Sequence, residues 1–352
     1  MTELKCISSE IYGKDCSKPF HSLETLCFED LQEWEHWDSI KGNEHAEKFP
    51  RLRNLSIIKC PKFVGTLPDH LPLLEKVVIY GCAQLVVSLS SLPLLCELEI
   101  NGCKRMVCSG TIDLKSVNSM TLSNISEFSN ISEFGNWLRQ GFWKVERLKI
   151  VNCKELMYLW QNEIRLDKPP RGFRSLTSVC KLCIEDCPSL VSFREASFLS
   201  LLSELKIQNC NALTSFPEEM QLKSTRLKSL QIGGCHALTS LVRGQLPSFM
   251  ETLQIRNCEK LGCLMDDAQD TSSPFDSSSS SSVMHKENNN SGASLLQHLY
   301  IYNCPSLTCL SSRGHLPETL QQLVIRDCPK LESVAERFHN NKFSRILLDL
   351  EM

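Results

Sequence analysis

Cys180, Cys183 and Cys187 are the tightest cluster of metal-ligand chemistry in this chain, a Cys-x-x-Cys pair with a third thiol four residues further on. Zinc would need those thiolates to converge on one tetrahedral centre. The flanking residues oppose that, because Leu182 and Ile184 alternate with Lys181, Cys183 and Glu185 in the period of a half-buried strand. In that register Cys183 faces outward and Cys187 faces the interior. Other reaction chemistry lacks its pattern. The single Gly-Lys pair, Gly13-Lys14, is followed by Asp15, neither His-Glu-x-x-His nor Gly-x-Ser-x-Gly occurs, and the nine histidines are scattered. No nucleophile, base and orienting group can be placed together, so no catalytic residue, metal or cofactor is expected.

What the chain does offer is recognition chemistry. Tyrosine and arginine dominate binding hot spots because they present large, rigid or planar surfaces with a polar handle. Arg256, Tyr300, Tyr302 and Arg326, with His298 and Gln322 beside them, stand at alternate positions of three short apolar segments. They form the best candidate partner-binding patch. Lys76, Glu97, Arg147, Lys149, Lys181, Glu185, Glu204 and Lys206 occupy equivalent positions elsewhere, and most of these read as ordinary solvated residues. The row Phe20, Leu23, Leu26, Leu31, Trp34, Trp37 reads as the closing core of one end of the fold before it reads as a ligand box.

The elements that must position these residues come from one recurring phrase, Leu-x-x-Leu-x-Ile-x-x-Cys-x-x-Leu. It is complete at Leu202-Leu205-Ile207-Cys210-Leu213 and recurs with its ladder cysteine at 60, 82, 103, 153, 187, 210, 235, 258, 304 and 328. Units start at 52, 74, 95, 117, 145, 179, 202, 227, 250, 296 and 320, with weaker ones at Leu23-Leu26-Phe28 and Phe343-Ile346-Leu348. This is a leucine-rich repeat array. Positions four, six, nine and twelve point inward, and positions three, five and seven point toward a partner. Strands at such steps run parallel. The expected fold is an α/β repeat solenoid, a horseshoe with a parallel concave β-sheet and an irregular or short-helix convex side. In the unit at Val117 the ladder cysteine is missing, and Asn124 reads as sitting one place early.

Four regions are expected: residues 1–48 as a capping and first-repeat region, 49–265 as repeats, 266–293 as a disordered Ser/Asn-rich insertion, and 294–352 as repeats and cap. Within the second, Phe128, Ile131, Leu138 and Phe142 predict an amphipathic helical insertion at about 126–142. Pro169-Pro170-Arg171-Gly172 predicts a loop insertion at about 160–175. The serine run 277–282 and asparagines 288–290 cannot bury enough apolar surface to offset chain entropy. Leu-Pro pairs at 67, 92, 246 and 316 place a bend before the next strand.

Of nineteen cysteines, ten share the ladder position, which favours reduced structural thiols over disulfides. The net charge of -3 and pI near 6.3 give no basic surplus for nucleic acid, and neither a secretory leader nor a membrane span is read. The sequons at Asn54, Asn124, Asn130 and Asn289 then read as coincidental. A cytoplasmic location is expected, with nuclear or peripheral plasma-membrane placement only through partners.

Two further features carry a resemblance. Cys-Pro follows the strand at 60, 187, 304 and 328, and the stretch Phe20-His-Ser-Leu-Glu-Thr-Leu-Cys-Phe-Glu-Asp-Leu-Gln-Glu-Trp-Glu-His-Trp37 precedes the first full unit. Together with the repeats, they resemble the leucine-rich region of plant intracellular nucleotide-binding disease resistance proteins of the coiled-coil, non-TIR class. The resemblance implies a module that senses pathogen effectors or guarded host proteins and regulates a nucleotide-binding switch domain, none of whose motifs occurs in these residues. Its implied partners are therefore proteins: an effector, a guarded host protein or that switch domain. An F-box repeat adaptor of a ubiquitin ligase also uses ladder cysteines, but its Ile-Thr-Asp-like continuation is not seen. A secreted receptor would place asparagine at most ladder positions.

Overall fold

A computed structural model describes residues 4–8, 11, 20–37, 49–64, 67–68, 71–89, 92–108, 116–128, 144–159, 178–192, 201–216, 226–243, 246–266, 295–311, 317–331 and 346–348. Most units supply one five-residue strand whose fourth- and sixth-position residues are buried and whose neighbours are more open; Leu26 and Phe28 are only half-buried, and Ser123, Gly233 and Val324 are buried neighbours. Leu205 and Ile207 are buried while Glu204 is exposed, and the alternation repeats along the chain. The strands of one continuous sheet are β2 (Thr25–Glu29), β4 (Asn54–Ile58), β5 (Lys76–Leu89), β6 (Glu97–Cys108), β7 (Ser119–Ser123), β8 (Arg147–Val151), β9 (Lys181–Glu185), β10 (Glu204–Gln208), β11 (Ser229–Gly233), β13 (Thr252–Arg256), β15 (His298–Tyr302), β17 (Gln322–Arg326) and β18 (Ile346–Leu348). All thirteen lie in chain order, each parallel to the next. Register follows the repeat. Leu182, Leu205, Leu230 and Leu253 stand opposite one another, as do Ile184, Ile207, Ile232 and Ile255. Thr252 pairs with His298, so the 45 residues between them cost the sheet no register.

β1 (Cys6–Ile7) pairs with β3 (His36–Trp37) at one end. There Trp34 is fully buried, stacked 4.0 Å from Phe63, with Phe28 and Trp37 packed around it. Of the aromatic row, Trp34 and Trp37 are thus core that closes the apolar end of the solenoid; Leu23, Leu26 and Leu31 pack half-buried against it, and Phe20 is exposed, stacked on Phe49.

The ladder cysteines are buried and each does one recurring job. In nine units the Cys Sγ donates to the carbonyl oxygen two residues earlier, as in Cys60 to Ile58 at 3.4 Å, Cys210 to Gln208 at 3.5 Å and Cys328 to Arg326 at 3.3 Å. Cys103 differs and donates to Arg105. The same seventh-position carbonyl accepts the backbone N–H of the eighth residue of the preceding unit: Gln208 from Asp186 and Gly233 from Asn209. To turn its N–H that way the eighth residue is left-handed in twelve units, with φ between 49° and 76°. Asn, Asp or Gly fills all but one of these positions, the exception being Lys59. The four residues from the cysteine then close a turn, with Leu213 N–H on Cys210 O at 3.1 Å, which explains why proline is welcome directly after the cysteine.

Three expectations change. Asn124 is not displaced: it sits at position eight with φ 51°, and Ile125 fills the cysteine's buried place. The convex side shows no helix among the described residues. Instead β12 (Ser240–Arg243), β14 (Cys263–Asp266) and β16 (Cys309–Ser311) form a second, three-stranded parallel sheet, because successive units of equal arc stack as well behind the core as in front of it. Residues 126–128, expected to open a helix, instead run along the neighbouring unit, with Ser126 and Glu127 N–H on Cys103 and Lys104 carbonyls. The rest of that insertion lies outside the described residues, as do residues 160–175 and all of the Ser/Asn-rich segment beyond Asp266. Of the Leu-Pro bends, Pro247 and Pro317 carbonyls accept from Met250 and Leu320 at 3.0 and 3.1 Å, closing turns directly before a strand. At the second unit Leu71 plays that part instead of the pair at 67.

Two outcomes follow from this geometry. A Cβ on Gly234, at φ 61°, would lie 2.2 Å from Asn209 Oδ1, so Gly234→Ala should cost about 1–2 kcal/mol from the left-handed backbone alone. An unchanged urea midpoint would contradict the assigned turn. Burial pushes the Cys103 and Cys235 thiols up to about 12 and about 11, from an ordinary 9.0. A thiol raised in the folded state contributes stability that is complete below the unfolded value and is lost as pH rises through the folded one. The melting temperature should therefore fall above pH 9.0, and less steeply in Cys235→Ala; identical slopes in the two proteins would contradict the buried-thiol account.

Candidate functional site

Strand residues at positions three, five and seven project from the concave face, held by the ladder behind them. The six residues expected to form a patch do come together, on β13, β15 and β17. Arg256, Tyr302 and Arg326 lie opposite one another in register, and His298 lies opposite Gln322. The Arg256 guanidinium sits 4.8 Å from the Tyr302 ring centroid, a cation–π contact, and Tyr300 Oη donates to Gln322 Oε1 at 2.8 Å. The His298 and Tyr300 rings are nearly parallel, at 3°, with centroids 6.4 Å apart. Arg256 and Arg326 are exposed and the other four half-buried. The rings are thus partly fixed before any partner arrives, which lowers the entropy cost of binding.

A second feature was visible residue by residue but not as a unit. Across β7 to β11 the concave face deepens into a trough of about 350 Å³, lined by Arg147, Lys149, Lys181, Cys183, Glu204 and Lys206 among others. Its charges are cross-linked. Glu185 accepts from Lys206 at 2.6 Å and lies 3.3 Å from Lys149, while Lys181 pairs with Glu204 at 2.6 Å. Lys206 and then Lys149 hold the Glu185 carboxyl below the usual range. Sequence could not show this, because partners 21 and 36 residues apart meet only through strand register. Cys183 is half-buried among them, its thiol pushed up to about 11 by burial and secondarily by Glu185. Cys180 donates to Glu146 O at 3.4 Å, and Cys187 is buried in the ladder. The three cysteines point as the strand period predicts and do not converge. Among the described residues no three His, Cys, Asp or Glu side chains are grouped to hold a metal ion.

Sequence reasoning missed a polar ladder along the rim. Asn124 Nδ2 donates to Asn101 Oδ1 at 2.7 Å, Asn152 donates on to Asn124, Asn209 to Asp186 at 2.7 Å, and Asn303 to Asn257 at 3.1 Å. The signal was present in the recurrence of Asn, Asp or Gly just before the cysteine. Asn54, on β4, instead donates to Thr25.

No protein-family model matches the chain. Among known proteins, RPP13-like protein 1 of Arabidopsis thaliana, named for disease resistance, is 37% identical over 91 residues, covering 24% of this chain and 8% of that protein. A second Arabidopsis thaliana protein named for disease resistance is 40% identical over 60 residues, 17% of this chain and 4% of its own. The matched stretches are thus a small part of each relative. Among solved structures, TLR13 in its crystal structure with ssRNA13 aligns with 88% of this chain and 56% of its own, at 16% identity and a TM-score of 0.28, too low to establish a shared shape. The chain is therefore a leucine-rich repeat array with segments like those of disease resistance proteins. Among the described residues no helix is long and apolar enough to cross a membrane.

The charge network sets a modest expectation. Glu185 is 16% exposed and held by two lysines, so Glu185→Gln should cost under about 1 kcal/mol near neutral pH. Because its carboxyl is lowered on folding, that contribution is present above the unfolded value and fades as pH falls through the folded one. Urea titrations of both proteins at pH 7 and in acid measure it; a larger cost in acid would reverse the sign and contradict the pairing.

Proposed function

We propose that this chain is the recognition module of a plant intracellular disease resistance protein of the coiled-coil, nucleotide-binding class. It senses pathogen effectors or guarded host proteins and restrains a nucleotide-binding switch domain. The observation that carries this reading is the patch on β13, β15 and β17, where Arg256, Tyr300, Tyr302 and Arg326 stand side by side on a sheet fixed by its own ladder. Those side chains suit a protein surface: planar, amphipathic and partly immobilised. Nucleic acid is disfavoured because the chain as a whole carries a net charge of -3 and three of the four trough cations named above are engaged in ion pairs with Glu185 or Glu204, whereas binding phosphate backbones draws on a surplus of free positive charge. The stretches shared with the Arabidopsis relatives support the disease-resistance setting. A cytoplasmic site of action belongs to the same proposal.

Alanine at Tyr300, Tyr302 and Arg326 together tests the patch. Proximity labelling in plant tissue should recover protein partners with the wild-type chain and lose them with the triple variant, whose circular dichroism should match wild type. Equal recovery by both would remove the patch from the site. Recovery of ubiquitin-ligase subunits by the wild type would favour the adaptor reading instead.

A further inference from the structure

Apart from the ladder, two cysteines meet on the convex side. Cys263 on β14 and Cys309 on β16 are direct register partners in the three-stranded sheet, and their Sγ atoms are 2.8 Å apart. Neighbouring strands lie about 4.8 Å apart, which falls inside the Cα separation of about 4.4–6.8 Å that a disulfide spans. Little backbone movement separates this pair from a bond. Both residues are half-buried, so a small reagent reaches them. Cys263 Sγ also donates to Met265 O at 3.1 Å, so burial is what sets the ladder thiols apart: Cys210, Cys235 and Cys258 are fully buried.

We propose that Cys263 and Cys309 form a reactive dithiol, a modification site that hydroperoxides oxidise to a reversible disulfide. One thiolate attacks the peroxide O–O bond, giving a sulfenic acid and releasing hydroxide, which leaves as water. The second thiolate then attacks the sulfenic sulfur; the S–S bond forms, the S–O bond breaks and a second water departs. Two thiols are oxidised by two electrons in all, and one hydrogen peroxide is reduced to two waters. The bond would tie together the units on either side of residues 267–294, across a sequence separation of 46.

The test treats the full chain with equimolar hydrogen peroxide, blocks remaining thiols with an alkylating agent, digests without reductant and maps peptides by mass spectrometry. The expected product is a Cys263–Cys309 linked peptide that has lost two hydrogens and reverts with dithiothreitol, while Cys210 and Cys235 alkylate only after unfolding. Both cysteines remaining open to alkylation, or ladder cysteines cross-linking first, would overturn the proposal. In Cys309→Ser, with circular dichroism as the check on folding, Cys263 should stop at the sulfenic acid and be captured by dimedone. Disulfide formation from Cys263 to another cysteine of the same chain would overturn the pairing.

Discussion

The carbonyl of the seventh residue in each unit is the group on which this array depends. It stands where the strand leaves the sheet and the chain turns inward, a place where an unpartnered backbone oxygen would be costly. In nine units its two lone pairs take two donors from different sources. One is the N–H of the left-handed eighth residue of the unit before it, and the other is the thiol of its own unit's cysteine, as at Gln208, Gly233 and Arg256. The first bond joins neighbouring units, and the second pulls the turn onto the core. Cysteine suits both demands, being small and apolar enough to bury yet able to donate.

Packing energetics agree with that ranking. Each inward Leu or Ile at positions four and six contributes about 1.5–3 kcal/mol by burial, repeated through every unit. The concave ion pairs, half-exposed at Lys181 and Glu204, are worth less than about 1 kcal/mol each. The core and the seventh-position carbonyls thus fix the sheet, and the concave face is left to vary. Such a face can carry a trough of paired charges at its centre and an aromatic, cationic patch toward β17 without disturbing the fold that displays them.

Much of this was legible in the sequence, because the repeat has one period and each position has one direction. Leu205 and Ile207 face in, Tyr300 and Tyr302 face out, and thirteen weak or strong units became thirteen strands. What was not legible depends on neighbours that only the fold supplies. The Lys206–Glu185–Lys149 chain needs register between units. The convex sheet of β12, β14 and β16 needs equal arcs in three units, which the apolar pattern does not encode. Asn124 lacks the cysteine that marks the ninth position in other units, and only its left-handed backbone places it with the other eighth residues. That row of Asn, Asp and Gly was in plain view, and its meaning came only with the backbone angles.

Amide hydrogen exchange at the eighth residues tests the central claim most directly. Asn209 and Asn303 have exposed side chains, yet their N–H groups are bonded to the Gly233 and Arg326 carbonyls. The account predicts protection at these amides equal to that of the strand amides of Leu205 and Ile207. Exchange as fast as that of an unstructured loop would contradict it, leaving the thiols and side chains without the backbone ladder that holds the units in register.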